Sequence, residues 1–209
     1  MKNLLASGDI KLSSIKEQDF QVILEWFDDY EFLTYFDMLP AVPQTKIQVN
    51  EMLDYFLKSK DKVIFAIRHK ISNKIIGITG LDNIQWNNGA ATLFIGIGDK
   101  EHTGKGFGKE ALKMLIDFGF YEFNLHRIQL NVIAYNEKAI RLYEGLGFVK
   151  EGVYREFLNR GGKRVDLYLY GLLCHQSSMA TAPASGSPDR TRLKAQGTSF
   201  EAGHEPAPR

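Results

Sequence analysis

Two short segments carry most of the chemistry open to this chain. The first is Thr103-Gly104-Lys105-Gly106-Phe107-Gly108, with glycine at every second position ahead of an amphipathic run from Lys109 to Glu122. Glycine tolerates left-handed backbone, so successive N–H groups can turn toward one anion, with the positive end of the following helix behind them. Such a loop makes a cradle for a diphosphate. The second segment is Asn136-Glu137-Lys138-Ala139-Ile140-Arg141-Leu142-Tyr143, closing on Gly147-Phe148. Helical spacing puts Asn136 and Tyr143 two turns apart on one face. A phenol of reference pKa near ~10 can give a proton to a departing group of similar basicity, which makes Tyr143 a candidate acid. Asn136 suits both a helix N-cap and a ligand contact.

The common nucleotide motifs fail on spacing. A dinucleotide fingerprint needs a third glycine where Lys109 stands, and a P-loop needs Ser or Thr after its lysine, where Gly106 stands. Upstream, a strand ends Gly96-Ile97-Gly98. Two glycines inside a strand suit a bulge or a close backbone approach, so the N–H of Ile97 or Gly98 is a candidate donor to a polarised carbonyl.

From about Ile95 to Phe148 the sequence resembles the GCN5-related N-acetyltransferases. It is most similar to their branch of ribosomal-protein N-terminal and spermidine acetyltransferases. That family's diphosphate motif, Gln/Arg-x-x-Gly-x-Gly/Ala, falls on Thr103, Gly106 and Gly108. Its later Asn, Ala, Tyr and Gly-Phe positions fall on Asn136, Ala139, Tyr143 and Gly147-Phe148. Thr103 departs from the pattern, a short side chain where the family carries longer reach, so phosphate binding rests on the backbone amides.

The resemblance extends more loosely over about residues 8 to 173. It implies an α+β single domain with a mixed, mostly antiparallel central sheet flanked by helices. It also implies acetyl-CoA as acetyl donor, no metal, no covalent enzyme intermediate, and a primary amine attacking directly in a ternary complex. Tyr143 then protonates the leaving thiolate, and the cofactor contacts are Ile97, Gly98, Thr103, Gly104, Lys105, Gly106, Phe107, Gly108 and Asn136. The acceptor is a polyamine or other small cationic amine, or else a protein N-terminus. A non-catalytic acyl-CoA-binding domain is the reading from another class.

Charge bears on the acceptor. Residues 1–45 hold eight acids against three lysines, whereas the whole chain is at +1, which gives nucleic acid binding no support. In the fold implied by the resemblance the first helices wall the acceptor groove. Asp28, Asp29 and Glu31 are therefore the candidates for attracting a cationic amine. The amine's own proton leaves through water or through one of these acids, because Thr92 and Leu93 stand where some family members place a glutamate.

The elements that position these groups follow from periodicity. Ile10 to Leu12 reads as an opening strand and Glu17 to Phe27 as a helix, with residues 28–44 an acidic and aromatic connection. Thr45 and Gln48 make a capping box for a helix to about Lys60. Val63 to Arg68, Ile75 to Leu81 and Thr92 to Gly98 read as three antiparallel strands. After the loop and its helix come a strand over Arg127 to Ile133, a helix over Asn136 to Leu146, and a hairpin of Val149–Asn159 and Lys163–Leu173 turning at Arg160-Gly161-Gly162.

Composition sets the remaining bounds. At 44% hydrophobic and 24% charged, the 209 residues suit one globular domain, expected over 1–175. Residues 176–209 hold four of the six prolines and no Ile, Asn, Tyr or Trp, which predicts a disordered and non-native tail. The start lacks a signal-peptide core, the chain lacks an apolar stretch of membrane-spanning length, and the lone Cys174 forms no internal disulfide. These features predict a cytoplasmic protein with no membrane partner, and they leave room for a homodimer.

Overall fold

The computed structural model describes residues 3–177, so the tail expectation beyond Ser177 lies outside the described residues. Eight strands form one sheet: β1 (Ala6–Ser7), β2 (Ile10–Ser13), β3 (Val63–His69), β4 (Ile75–Gln85), β5 (Ala90–Ile97), β6 (Arg127–Ile133), β7 (Val149–Arg160) and β8 (Lys163–Leu173). Their spatial order is β1-β2-β3-β4-β5-β6-β8-β7. Every neighbouring pair is antiparallel except β5 and β6, which are parallel. The fold is therefore an α+β domain with a mixed sheet.

Helices cover both faces. On one face α1 (Phe20–Asp28), α2 (Tyr30–Phe36) and α3 (Lys46–Lys58) bury Ile23, Phe27, Leu33, Val49 and Leu53 against Ile64, Ala66, Ile75 and Ile78 of the sheet. On the other, α4 (Phe107–Tyr121) and α5 (Glu137–Glu144) share a core with Ile10, Ile67, Ile76 and Leu93 and with β6. Ile128, Leu130 and Val132 of β6 point into that core at alternate positions, as the sequence predicts. The capping box forms too: Thr45 and Gln48 exchange backbone and side-chain hydrogen bonds at the start of α3. In the final hairpin Arg160 pairs with Lys163 across Gly161 and Gly162, both left-handed, as a two-residue turn requires.

Two local expectations are corrected. The connection over 28–44 contains α2, because Asp29 N-caps it by accepting from Glu31 N–H at 2.9 Å, and Phe32 and Phe36 stack one turn apart with ring centroids 4.9 Å apart. The first helix starts at Phe20, after a 3₁₀ turn at Glu17–Asp19. Asp19, one of the eight acids counted in residues 1–45, is buried against an equally buried Arg68, whose Nη1 lies 3.1 Å from Asp19 Oδ1. Lys16 N–H and Ser13 Oγ complete that network and tie the chain before α1 to β3. Two buried charges persist together only when each satisfies the other.

Candidate functional site

The sheet opens where its single parallel pairing ends. Ala90, Ala91 and Thr92 of β5 pair with Arg127, Ile128 and Gln129 of β6, and no pairing between the two strands continues beyond. From Leu93 to Ile97 and from Leu130 to Ile133 the strands run apart, leaving a wedge whose walls carry backbone groups turned away from the rest of the sheet. No residue pattern announced this split, because both strands read as ordinary alternating β.

Backbone register decides which amides face the wedge. The N–H groups of Gly98 and Asp99 both donate to Ile76 O, at 3.1 Å each, so Gly98 is held in the sheet. Hydrogen-bonded and free positions alternate along an antiparallel pair, so Ile97, opposite Gly77, directs its N–H away from β4 and toward the wedge. The two strand glycines have a packing cause. A Cβ on Gly98 would sit 2.1 Å from the Trp26 ring, and one on Gly96 2.7 Å from Phe36, so aromatic side chains of α1 and α2 lie directly on the end of β5.

The loop after β5 behaves as its glycines require. Gly104 and Gly106 are left-handed, at φ 75° and 87°, and a Cβ on either would meet nothing within 4 Å. Conformation, rather than crowding within the protein, selects glycine there. The first N–H beyond Thr103 with a backbone acceptor is that of Glu110, to Gly106 O at 3.2 Å; among the described residues those of Gly104 to Lys109 have none. These donors sit at the N-terminus of the fifteen-residue α4, where the helix dipole adds positive potential. Gly108 opens onto Ile95 and Ile97 of β5 and Leu142 of α5, all 3.8–3.9 Å from a Cβ built on it, so strand, loop and α5 converge at this point. Thr103 turns its hydroxyl back to Lys100 O at 2.8 Å, while Lys105 is exposed.

On α5, Asn136 is the N-cap, its Oδ1 accepting from Ala139 N–H at 3.2 Å. Tyr143 is buried with its ring edge-on to Phe148, centroids 5.9 Å apart, and its hydroxyl makes no hydrogen bond among the described residues. Burial pushes this phenol up to about 12. It stays protonated throughout the neutral range, as a proton donor must. Gly147, left-handed at φ 93°, ends the turn so that Phe148 N–H returns to Tyr143 O at 3.1 Å.

The three acids do not stand alike. Lys100 Nζ lies 2.7 Å from Asp29 Oδ2 and 3.6 Å from Glu31 Oε2, so this pair already holds a cation supplied by the chain. The Lys100 hydrogen bond holds the Asp29 carboxyl below its usual range, against a smaller opposing effect of burial. Asp28 is exposed at the end of α1, outside that group. Helix α2 spans the mouth of the wedge: Phe32 and Phe36 rest on β5, Tyr135 after β6 donates to Thr34 O at 2.6 Å, and Arg160 donates to Asp37 O at 2.6 Å.

Beside the loop, the rings of His102, His69 and Phe107 pack against one another in a triangle, with His102 Nδ1 3.2 Å from Asp99 Oδ1. Asp99, Glu101 and His102 bring ligand atoms within 4.8 Å of one another, but Asp99 is already paired with Lys74 at 2.7 Å. A cavity of about 790 Å³ lies elsewhere, at a bulge between Tyr154 and Leu158 of β7, and none of the sequence-predicted residues lines it. No helix among the described residues is long and apolar enough to cross a membrane.

Comparison with known proteins agrees with this geometry. The model of the acetyltransferase (GNAT) domain matches residues 9–149. An uncharacterised N-acetyltransferase, p20, of Bacillus licheniformis is 32% identical over 166 residues, covering 78% of this chain and 92% of that protein. The spermidine N(1)-acetyltransferase of Vibrio cholerae is 30% identical over 159 residues, 75% of this chain and 83% of that protein. A crystal structure of spermidine N-acetyltransferase from Vibrio cholerae, in complex with CoA and spermine, superposes with a TM-score of 0.74 at 24% identity, over 80% of this chain and 97% of that one.

Proposed function

The chain belongs to the GNAT family of N-acetyltransferases, and from that premise we propose that it moves acetyl from acetyl-CoA to a small cationic primary amine. The observation that carries the reading is the conjunction at the wedge: unpartnered amides from Gly104 to Lys109 on one side, Tyr143 on the other, and the Ile97 N–H between. The loop amides hold the diphosphate, with Lys105 adding charge. Ile97 N–H donates to the thioester oxygen where negative charge builds during attack. Gly98, whose N–H is engaged by Ile76, contributes the smooth surface that Trp26 covers rather than a donor. Tyr143 Oη gives its proton to the departing sulfur. The amine's proton leaves to water, since Asp29 is occupied by Lys100.

A small cationic amine is favoured by the spermidine acetyltransferases among the relatives. The acidic character of the N-terminal third supports it less than a count of charges suggests, because Asp19, Asp29 and Glu31 are paired within the chain. The exposed edge strand β7, with Val149, Val153, Tyr154 and Phe157 outward, is the surface we assign to a homodimer contact. The reading places the protein in the cytoplasm, where the single Cys174 stays reduced. A thiol-release assay with acetyl-CoA against monoamines, polyamines, aminoglycosides, amino acids and N-terminal peptides tests the acceptor class. Turnover concentrated on small cationic amines is expected; turnover on the peptides alone would move the assignment to protein N-termini.

A further inference from the structure

We propose that Lys100 is a specificity-determining residue that disfavours polycationic acceptors by occupying, from within the chain, the acidic pair Asp29 and Glu31. The inference rests on the amine-acceptor reading above. Three observations support it. Lys100 lies just past the end of β5, three residues before Thr103, and its ammonium contacts both carboxylates. The α1–α2 junction that carries them is fixed against the same strand end by Trp26 on Gly98 and by Phe32 and Phe36 on Gly96. Helix α2, which begins at this pair, reaches from Gly96 of β5 to Tyr135 after β6, so the pair sits at one end of the helix that bridges the two separated strands.

Two carboxylates facing one lysine leave a single net negative charge where the sequence alone suggests two. An acceptor that needs only its reacting amine is indifferent to this. A polyamine gains from a remote ammonium only by displacing Lys100, exchanging one ion pair for another. The exchange is feasible, because Lys100 is 70% exposed and ion pairs that reach into solvent are weak. It yields little net affinity.

The test is calorimetric titration of spermine, 1,4-diaminobutane and butylamine into the wild-type protein and into Lys100→Met, with turnover measured separately. Lys100→Met should tighten spermine binding by about 3- to 10-fold and butylamine binding by less than about 2-fold. The difference should vanish at about 0.5 M salt, where the screening length is only a few ångströms. Adding Asp29→Asn to Lys100→Met should remove most of the gain. Unchanged, weaker or undetectable spermine binding in Lys100→Met, or equal tightening for all three amines, would overturn the proposal. If affinities shift as stated while no amine is acetylated, the acceptor assignment falls and the Lys100 role stands; turnover with unshifted affinities gives the reverse.

Discussion

Replacing Tyr143 with phenylalanine removes one oxygen from a buried ring. The ring packs edge-on against Phe148 and the hydroxyl has no hydrogen-bond partner among the described residues, so the change orphans no protein group. Stability at neutral pH should therefore move by less than about 1 kcal/mol. Turnover should fall by about 10²–10⁴, the usual loss of a positioned general acid. Affinity for acetyl-CoA should change little. The assay compares acetyl donors whose thiols differ in pKa: a better leaving group needs less protonation, so the deficit of Tyr143→Phe should shrink with it.

Titration provides a second readout. Folding raises this phenol from about 10 to about 12, so its neutral form is favoured in the folded state. The corresponding stability is fully present below about pH 10 and is lost as pH rises through 12, amounting to about 3 kcal/mol. Tyr143→Phe should escape that loss and overtake the wild type in melting temperature above pH 10. Tyr170 is also pushed up to about 12, by burial and by its hydrogen bond to Glu144, but it is present in both proteins and cancels. Below pH 10 the wild-type rate should show no basic limb from Tyr143. A deficit constant across donors would make Tyr143 a structural anchor and refute the proton-donor assignment.

Gly106→Val should fold, because its Cβ enters open space, at a backbone cost of about 1–2 kcal/mol or more for a branched residue at φ 87°. It should lose the rise in melting temperature that acetyl-CoA gives the wild type; a full rise would place the cofactor elsewhere. Arg68→Met leaves Asp19 charged, buried and unpaired, so urea denaturation should show a loss of about 3–5 kcal/mol, most of it recovered by adding Asp19→Asn. A loss below about 1 kcal/mol would mean that the pair does not hold α1 to β3.

What the sequence discloses and what it hides divide along physical lines. Periodicity exposes β6 and α4, and the capping chemistry of Thr45 and Gln48 marks the start of α3, because these signals are local. The left-handed glycines of the loop are legible for the same reason. Helix α2 is hidden at first sight because it is only seven residues long, yet Asp29 as its cap and Phe32 with Phe36 were signals that could have revealed it. The split between β5 and β6, the engagement of Gly98 by Ile76, and the ion pairs Arg68–Asp19 and Lys100–Asp29 join residues 22 to 71 positions apart, or depend on register. No pattern along the chain encodes them, and they correct the view of the first helices as a free acidic wall.

The central claim is direct transfer of acetyl from acetyl-CoA to an amine, and isotope tracing tests it most directly. Acetyl-CoA labelled in the acetyl group is incubated with the protein alone, and then with spermidine or the amine that best supports thiol release. Mass spectrometry then reads both the amine and the intact chain. The account predicts one label on the amine, only when the amine is present, and none on the chain at any time, Cys174 included. Label on the chain before the amine is added, discharged once it is, would contradict direct attack, and label on neither would contradict acetyl transfer itself.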